Sequence, residues 1–519
     1  MANSSNHIPL LSQPHYDDSS QSPHIQTPSL SSKKKKKKKK KTPSLDSIIE
    51  NSIGNISWAQ SLQPILVSLA WFFDAQQTFI SIFADDQPSS NCNNISSSSS
   101  DYSWPWNLPQ HTSTISEWGL QCAGSILTSL PESAFFTGCL IGGFVLATIA
   151  DSWLGRKKML CFTCLAMAIS TLLTAFANNL WTYSALRLIC GFSRSTISTS
   201  ALVLSTELVG KQWRGQVGVI GYFCYTLGFL SLPAIAYVNI GSTWRNLYLY
   251  TSIPTIAYSI IVYFFVFESP RWLFIKGEIE EGIDILKKMA NKANYESTIS
   301  ISYLSFEEEK WNVNLYSSIK ILIEKKWALQ RLSTIMAIGF GVGLVYYGMP
   351  LALGNLAFNN LYLSVTLNAL SEFPASLIAF FFIANLNRRT PILVFCIISG
   401  ICSIMSVVKE VKRYTKTLQI GVELVSFFSA CSAFNILLIY TIELFPTCVR
   451  NSAVSMVRQA IVVGGVFSPV LAAAGRGDGF VSYGVFGVVI MCFGLFVIYL
   501  PETKDDTLMD PALNLMIFL

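Results

Sequence analysis

Ionisable side chains are sparse in this chain, and Asp74, Glu372 and Arg458 each stand inside a long apolar run. A charge at hydrocarbon depth is costly, so it marks a place where a charged solute, an ion or an opposite charge is met. A carboxylate there can face a cation, and a guanidinium can clamp a carboxylate through two parallel N–H bonds. Asp74 and Glu372 are therefore candidate partners of a cationic group, with Glu423 a weaker third. Arg458 is the candidate partner of an anionic group, and a structural pair with a buried acid is its alternative. Arg187 and Arg194 lie on one side of a single apolar run, and Arg194 joins the binding set. Tyr346 and Tyr347, with Tyr222, Tyr225 and Tyr362, offer aromatic faces of the kind that hold a quaternary ammonium group. Each tyrosine taken alone is also explained by packing. Asp74 or Glu372 could instead carry a proton, which leaves H+ or Na+ coupling open.

Other chemistries are not spelled. The four histidines, His7, His15, His24 and His111, fall in tails or loops, and the twelve cysteines show no metal-ligand spacing. No nucleotide-binding loop is present, and Gly475 to Gly479 is read as a short turn. The expectation is a protein that is not an enzyme and holds no metal or cofactor.

The elements that carry these residues are membrane helices. Of 519 residues, 51% are hydrophobic and only 13% charged, with a mean hydropathy of +0.44. A soluble chain carries about 25% charged residues, so this composition is that of a polytopic membrane protein. The net charge of +6 rests on nine consecutive lysines, Lys33 to Lys41, without which it turns negative. No general basic surface therefore points to nucleic acid. Residues 1–57 read as a disordered tail with no signal peptide. Twelve spans are expected near 62–83, 132–150, 159–177, 181–204, 216–238, 247–267, 332–353, 359–384, 391–408, 418–441, 453–474 and 480–500. They form an N-terminal half (58–267), a linker (268–331) and a C-terminal half (332–500), followed by a tail (501–519). Basic residues at Arg156 to Lys158, Lys211, Arg214, the linker, Arg388, Arg389 and Arg450 share one side, which places both termini in the cytosol. Lys409, Lys412, Arg413 and Lys416 dissent. The long first outer loop, 84–131, has no Lys or Arg, and carries Cys92 and Cys122 as a candidate disulfide and Asn94 as a glycosylation site.

The chain also repeats. Glu207 and Arg214 recur as Glu443 and Arg450 at the same 236-residue offset. Arg156 and Lys157 are echoed by Arg388 and Arg389, and Glu268-Ser-Pro-Arg271-Trp272 closes the first half as Pro501-Glu-Thr503 closes the second. Gly142 to Lys158, with Asp151, Gly155 and Arg156, resembles the loop between helices 2 and 3 of the major facilitator superfamily. That resemblance implies twelve helices in two six-helix halves around a solute cavity. Asp151, Arg156, Glu207, Arg214, Arg271, Glu443 and Arg450 are then candidates for a gate at the cytosolic rim. Their alternative role is to anchor helix ends and set topology.

Further motifs narrow the resemblance. Tyr346-Tyr-Gly-Met-Pro-Leu-Ala-Leu-Gly-Asn355, Asn360-Leu-Tyr-Leu363, Ser371-Glu-Phe-Pro-Ala375 and Glu443-Leu-Phe-Pro-Thr447 resemble the organic cation/carnitine transporter family. Phe72-Phe-Asp-Ala-Gln-Gln-Thr-Phe-Ile80 and Ile115-Ser-Glu-Trp-Gly-Leu-Gln-Cys122 are similar to its plant branch. The family implies secondary transport of organic cations or zwitterions such as carnitine by alternating access. Val462 stands where the animal branch carries an acid ahead of the paired glycines Gly464 and Gly465. A sugar or other solute porter of the same fold is the alternative function, and a non-transporting solute receptor a third. The membrane is expected to be the plasma or the vacuolar membrane.

Overall fold

The computed structural model describes residues 58–86, 109–149, 154–210, 213–289, 320, 322–356, 360–382, 387–407, 416–476 and 479–503. The expectations for the tail 1–57, Cys92, Asn94, Asp151 and residues 504–519 lie outside these. Among the described residues all regular structure is helical. An apolar run in lipid has no water to bond its backbone, so each run satisfies its N–H and C=O groups internally as a helix.

In chain order the main helices are α1 (Ser61–Ala84), α2 (Ser125–Ile149), α3 (Arg156–Thr174), α4 (Leu180–Arg194, resuming as Ile197–Glu207), α5 (Arg214–Val238) and α6 (Trp244–Phe265). After the linker come α7 (Lys326–Leu351), α8 (Leu361–Phe382), α9 (Arg389–Met405), α10 (Lys416–Leu444), α11 (Thr447–Ala474) and α12 (Phe480–Tyr499). Where it is described, each expected span is mainly helical. Nine of the described helices are long and apolar enough to cross a membrane, and α9 is a shorter apolar one.

Two boundaries differ from the sequence reading. The second helix starts at Ser125, not near 132, because Pro131 is accommodated inside its early turns rather than marking its start. The fourth is interrupted at Ser195 and Thr196. There the Ser195 hydroxyl donates to the Phe192 carbonyl at 2.8 Å, the kind of side-chain competition that weakens a helix interior.

Within each half, helices approach closely through small residues, since lipid offers no hydrophobic drive between them. Gly191 of α4 lies so near α2 that a Cβ there would collide with the Phe135 carbonyl oxygen. Gly464 of α11 plays the same part against α7, where a Cβ would lie 2.5 Å from the Phe340 carbonyl oxygen. The two halves meet where α2 packs on α11 and α5 on α8. Ser133 of α2 donates to the Val466 carbonyl of α11 at 3.1 Å, and Phe223 of α5 meets Phe373 of α8 edge-on at 4.2 Å. The linker opens as a short helix, Pro270–Lys276, capped by the Ser269 hydroxyl and closed by Gly277 in the left-handed region at φ +88°.

Gly191→Val should drive α2 from α4 at a cost of about 1–3 kcal/mol, the usual range for overpacking. Thermal unfolding of purified protein in detergent reads this as a lowered midpoint. Gly421→Ala, which meets nothing within 4 Å, should not lower the midpoint. Equal midpoints for both variants would contradict the close approach.

Candidate functional site

The first acid singled out by the sequence is already paired. Asp74 sits in the middle of α1, fully buried. Arg194 ends the first segment of α4 and places Nε 2.5 Å from Asp74 Oδ1 and Nη2 3.2 Å from Oδ2. Ser198, from the second segment, donates its hydroxyl to Oδ2 at 2.7 Å. One carboxylate thus ties both pieces of the interrupted helix to α1. Arg194 borders the central cavity but Asp74 does not, so the pair offers no free anion to a solute. A second buried pair joins Arg187 of α4 to Glu132 of α2, and Arg187 also donates to the Gln77 carbonyl at 3.2 Å.

The cavity lies between the halves and has a volume of about 690 Å³. Its middle is walled by Trp71 of α1, Tyr222, Tyr225 and Thr226 of α5, Tyr346 and Tyr347 of α7, Glu372 of α8, Phe434 of α10 and Arg458 of α11. Trp71 meets Tyr222 edge-on at 5.3 Å, and Tyr346 stacks on Phe434 at 4.6 Å. Glu372 accepts from the Tyr346 hydroxyl at 2.6 Å on Oε1 and from the Thr226 hydroxyl at 3.3 Å on Oε2. Thr226 belongs to the other half, so this carboxylate spans the interface. Among the described residues no basic group acts on it. Arg458 has no hydrogen-bond or ion-pair partner among the described residues, and its charge reaches the Tyr222 and Tyr347 hydroxyls. The cavity therefore holds an acid and a base, each unneutralised among the described residues, between aromatic rings. Glu423 is buried outside this lining.

At one end the cavity runs out to Arg156, Glu207, Arg214, Arg271 and Arg450. Here Arg156 faces Glu207 at 3.9 Å, and Arg388 grips Glu443 at 2.8 and 2.9 Å. Each pair links two helices of one half; neither crosses between halves. Arg450 turns back to the Phe445 carbonyl at 3.3 Å. The repeat continues in two acids the sequence reading treated only as end markers. Glu268 accepts the backbone N–H groups of Arg156 and Lys157 at 3.0 and 3.1 Å, and Glu502 those of Arg388 and Arg389 at 2.6 and 3.1 Å. Each carboxylate thus sits at the positive end of a helix, α3 or α9, where orphan donors and the helix dipole favour an anion. Burial nevertheless pushes the Glu268 carboxyl above its ordinary value, and the three backbone N–H groups it accepts only partly offset that.

The opposite end is shut by rings. Phe83 of α1 stacks on Tyr362 of α8 at 5.5 Å with planes 12° apart, and Tyr237 of α5 meets the same tyrosine edge-on at 5.9 Å. Beside this seal Asp85 accepts from Thr114 at 2.6 Å and Tyr183 at 2.9 Å. Glu117 receives Arg245 at 2.6 and 2.8 Å and the Trp244 N–H at 2.6 Å. Cys122 is disulfide-bonded; Cys92 lies outside the described residues.

Comparison with known proteins gives three findings. Residues 77–512 match the sugar (and other) transporter family. Organic cation/carnitine transporter 3 of Arabidopsis thaliana is 56% identical, with 90% of this chain and 92% of that one covered, and organic cation/carnitine transporter 2 of the same plant is 54% identical over 90% and 93%. Among solved structures, an inward-open conformation of the xylose transporter XylE from E. coli superposes with a TM-score of 0.61 at 17% identity, covering 88% of this chain and 98% of that one.

Asp74→Asn should strand Arg194 as an uncompensated buried charge and cost about 3–5 kcal/mol. Combining it with Arg194→Gln should cost less than the two single changes summed, as measured by thermal unfolding. Strict additivity would mean the two side chains do not act as a pair.

Proposed function

The chain belongs to the sugar (and other) transporter family and, within it, to the organic cation/carnitine transporters, and from that footing we propose that it carries a zwitterion of the carnitine type. It is an integral, multi-pass membrane transporter of the major facilitator fold. The observation that carries the substrate assignment is the pairing of Glu372 and Arg458 in one aromatic cavity, each left unneutralised by the protein. A trimethylammonium group has no N–H to donate and is held by aromatic faces and a nearby carboxylate, which Trp71, Tyr346 and Glu372 supply. The carboxylate at the other pole is met by the planar fork of Arg458. A permanent cation lacking an acid group uses the first set alone.

Alternating access follows from the two ends. The cavity reaches the charged rim while the Phe83, Tyr237 and Tyr362 rings close the other end, which supports an inward-facing state with both termini cytosolic. In the outward-facing state the rim draws together, and Arg156, Glu207, Arg214, Arg271, Glu443 and Arg450 exchange partners across the halves. Asp151 belongs to the same proposed gate, and Asn94 and a Cys92–Cys122 disulfide to the outer loop.

Cells expressing the chain should take up labelled carnitine saturably. Glu372→Gln should raise KM for carnitine and for tetraethylammonium about tenfold, equivalent to about 1.4 kcal/mol of binding. Arg458→Ala should abolish carnitine uptake and spare tetraethylammonium. Both readings need surface expression equal to wild type. If wild-type protein in the assayed membrane carries neither solute, the assignment fails and sugars become the next substrates to test.

A further inference from the structure

Away from the cavity, α8 and α10 bury a second polar pair. Asn368 and Glu423 are 0% and 1% exposed. Asn368 Nδ2 donates to the Ser364 carbonyl at 3.3 Å and to Glu423 Oε2 at 3.2 Å. Both acceptors need that nitrogen, so the amide cannot be reversed without setting oxygen against oxygen. Two atoms remain, Glu423 Oε1 and Asn368 Oδ1, and neither has a hydrogen-bond partner among the described residues. Each is an acceptor, and a buried polar atom left unmet is destabilising.

Among the described residues the titratable groups facing Glu423 are Tyr483 of α12 and Cys431 of α10, neither of which can carry a positive charge. One turn along α10, Ser426 meets the Ser399 carbonyl of α9 at 2.7 Å and the Met349 sulfur of α7 at 3.7 Å. Among the described residues no lysine, arginine or histidine acts on the carboxylate. An ionised carboxylate here would be a buried charge met by one amide N–H alone, a costly arrangement.

We propose that Glu423 and Asn368 form a proton-binding site, and that its proton is the coupling ion of transport. One proton on Glu423 Oε1 is donated to Asn368 Oδ1. With the existing Nδ2–H···Oε2 bond it closes a cyclic acid–amide pair in which both orphan acceptors are met. The proton comes from water on one side of the membrane and returns to water on the other, with no bond made to the solute. Asn368 and Glu372 are four residues apart on α8 and share a face, and Cys431 borders both carboxylates. Solute bound at Glu372 and proton bound at Glu423 thus bear on the same turn of one helix. Loss of the proton sets Oε1 against Oδ1 and pushes α8 from α10.

This inference rests on the transport reading above, so its test has one arm that needs no solute. Glu423→Gln keeps the ring closed without a titrating proton, because its amide donates to Asn368 Oδ1 and accepts from Nδ2. In proteoliposomes, the wild type should accumulate carnitine under an imposed inward proton gradient. The variant should exchange labelled for unlabelled carnitine at the wild-type rate yet lose that accumulation. Proton-driven accumulation retained by Glu423→Gln, or wild-type accumulation driven by sodium and not by protons, would overturn the proposal. Independently, the infrared carbonyl band of a protonated carboxyl should be weaker at neutral pH in purified Glu423→Gln than in wild type, by a component that Glu372→Gln retains. A band of wild-type strength in Glu423→Gln sinks the site. A band weakened there while no solute is carried keeps the proton site and refutes the substrate assignment alone.

Discussion

Charge inside a low-dielectric slab must be met by charge or hydrogen bonds at contact distance, and most of this structure is arranged by that demand. Asp74 shows it most directly. Its two oxygens are spoken for by Arg194 and Ser198, which lie on either side of the break in α4, so the neutralisation of one acid also fixes three helical segments. Glu132 and Arg187 repeat the device between α2 and α4. Against that background of matched charges, Glu372 and Arg458 stand out because the protein does not match them. The substrate proposal rests on that contrast.

The rim follows the same rule with a two-fold echo. A glutamate at the close of each half accepts the first backbone N–H groups of α3 or α9, and the arginine opening that helix pairs with the glutamate ending α4 or α10. Rim charge is thereby paired inside each half. The Arg156 to Glu207 separation of 3.9 Å is looser than the 2.8 Å of Arg388 to Glu443, so the two echoes are not equally tight.

The helices were legible because apolar runs near the bilayer length leave the backbone one solution. The earlier start of the second helix and the break at Ser195-Thr196 within the span 181–204 were not legible, since neither a tolerated early proline nor a local hydroxyl bond alters the apolar pattern. Individual charges were legible too; their partners were not. Asp74 and Arg194 lie 120 residues apart, and nothing in their local spacing joins them. The recurrence of Glu207 and Arg214 as Glu443 and Arg450 marked a repeat but named no partner for either acid. The fold gives the two acids to Arg156 and Arg388. Glu423 read as a weak ligand of solute because its orphan oxygen becomes visible only beside that of Asn368.

The two ends of the cavity are built from different materials, and this sets what each can sense. A stack of rings has no net charge for dissolved ions to screen, so the hold of Tyr362 on Phe83 and Tyr237 is indifferent to salt and strengthens with modest warming, as apolar contacts do. The charged rim weakens as ionic strength rises. Electrolyte at the rim therefore bears on the ion pairs that line that end of the cavity, whereas the ring stack itself is blind to it.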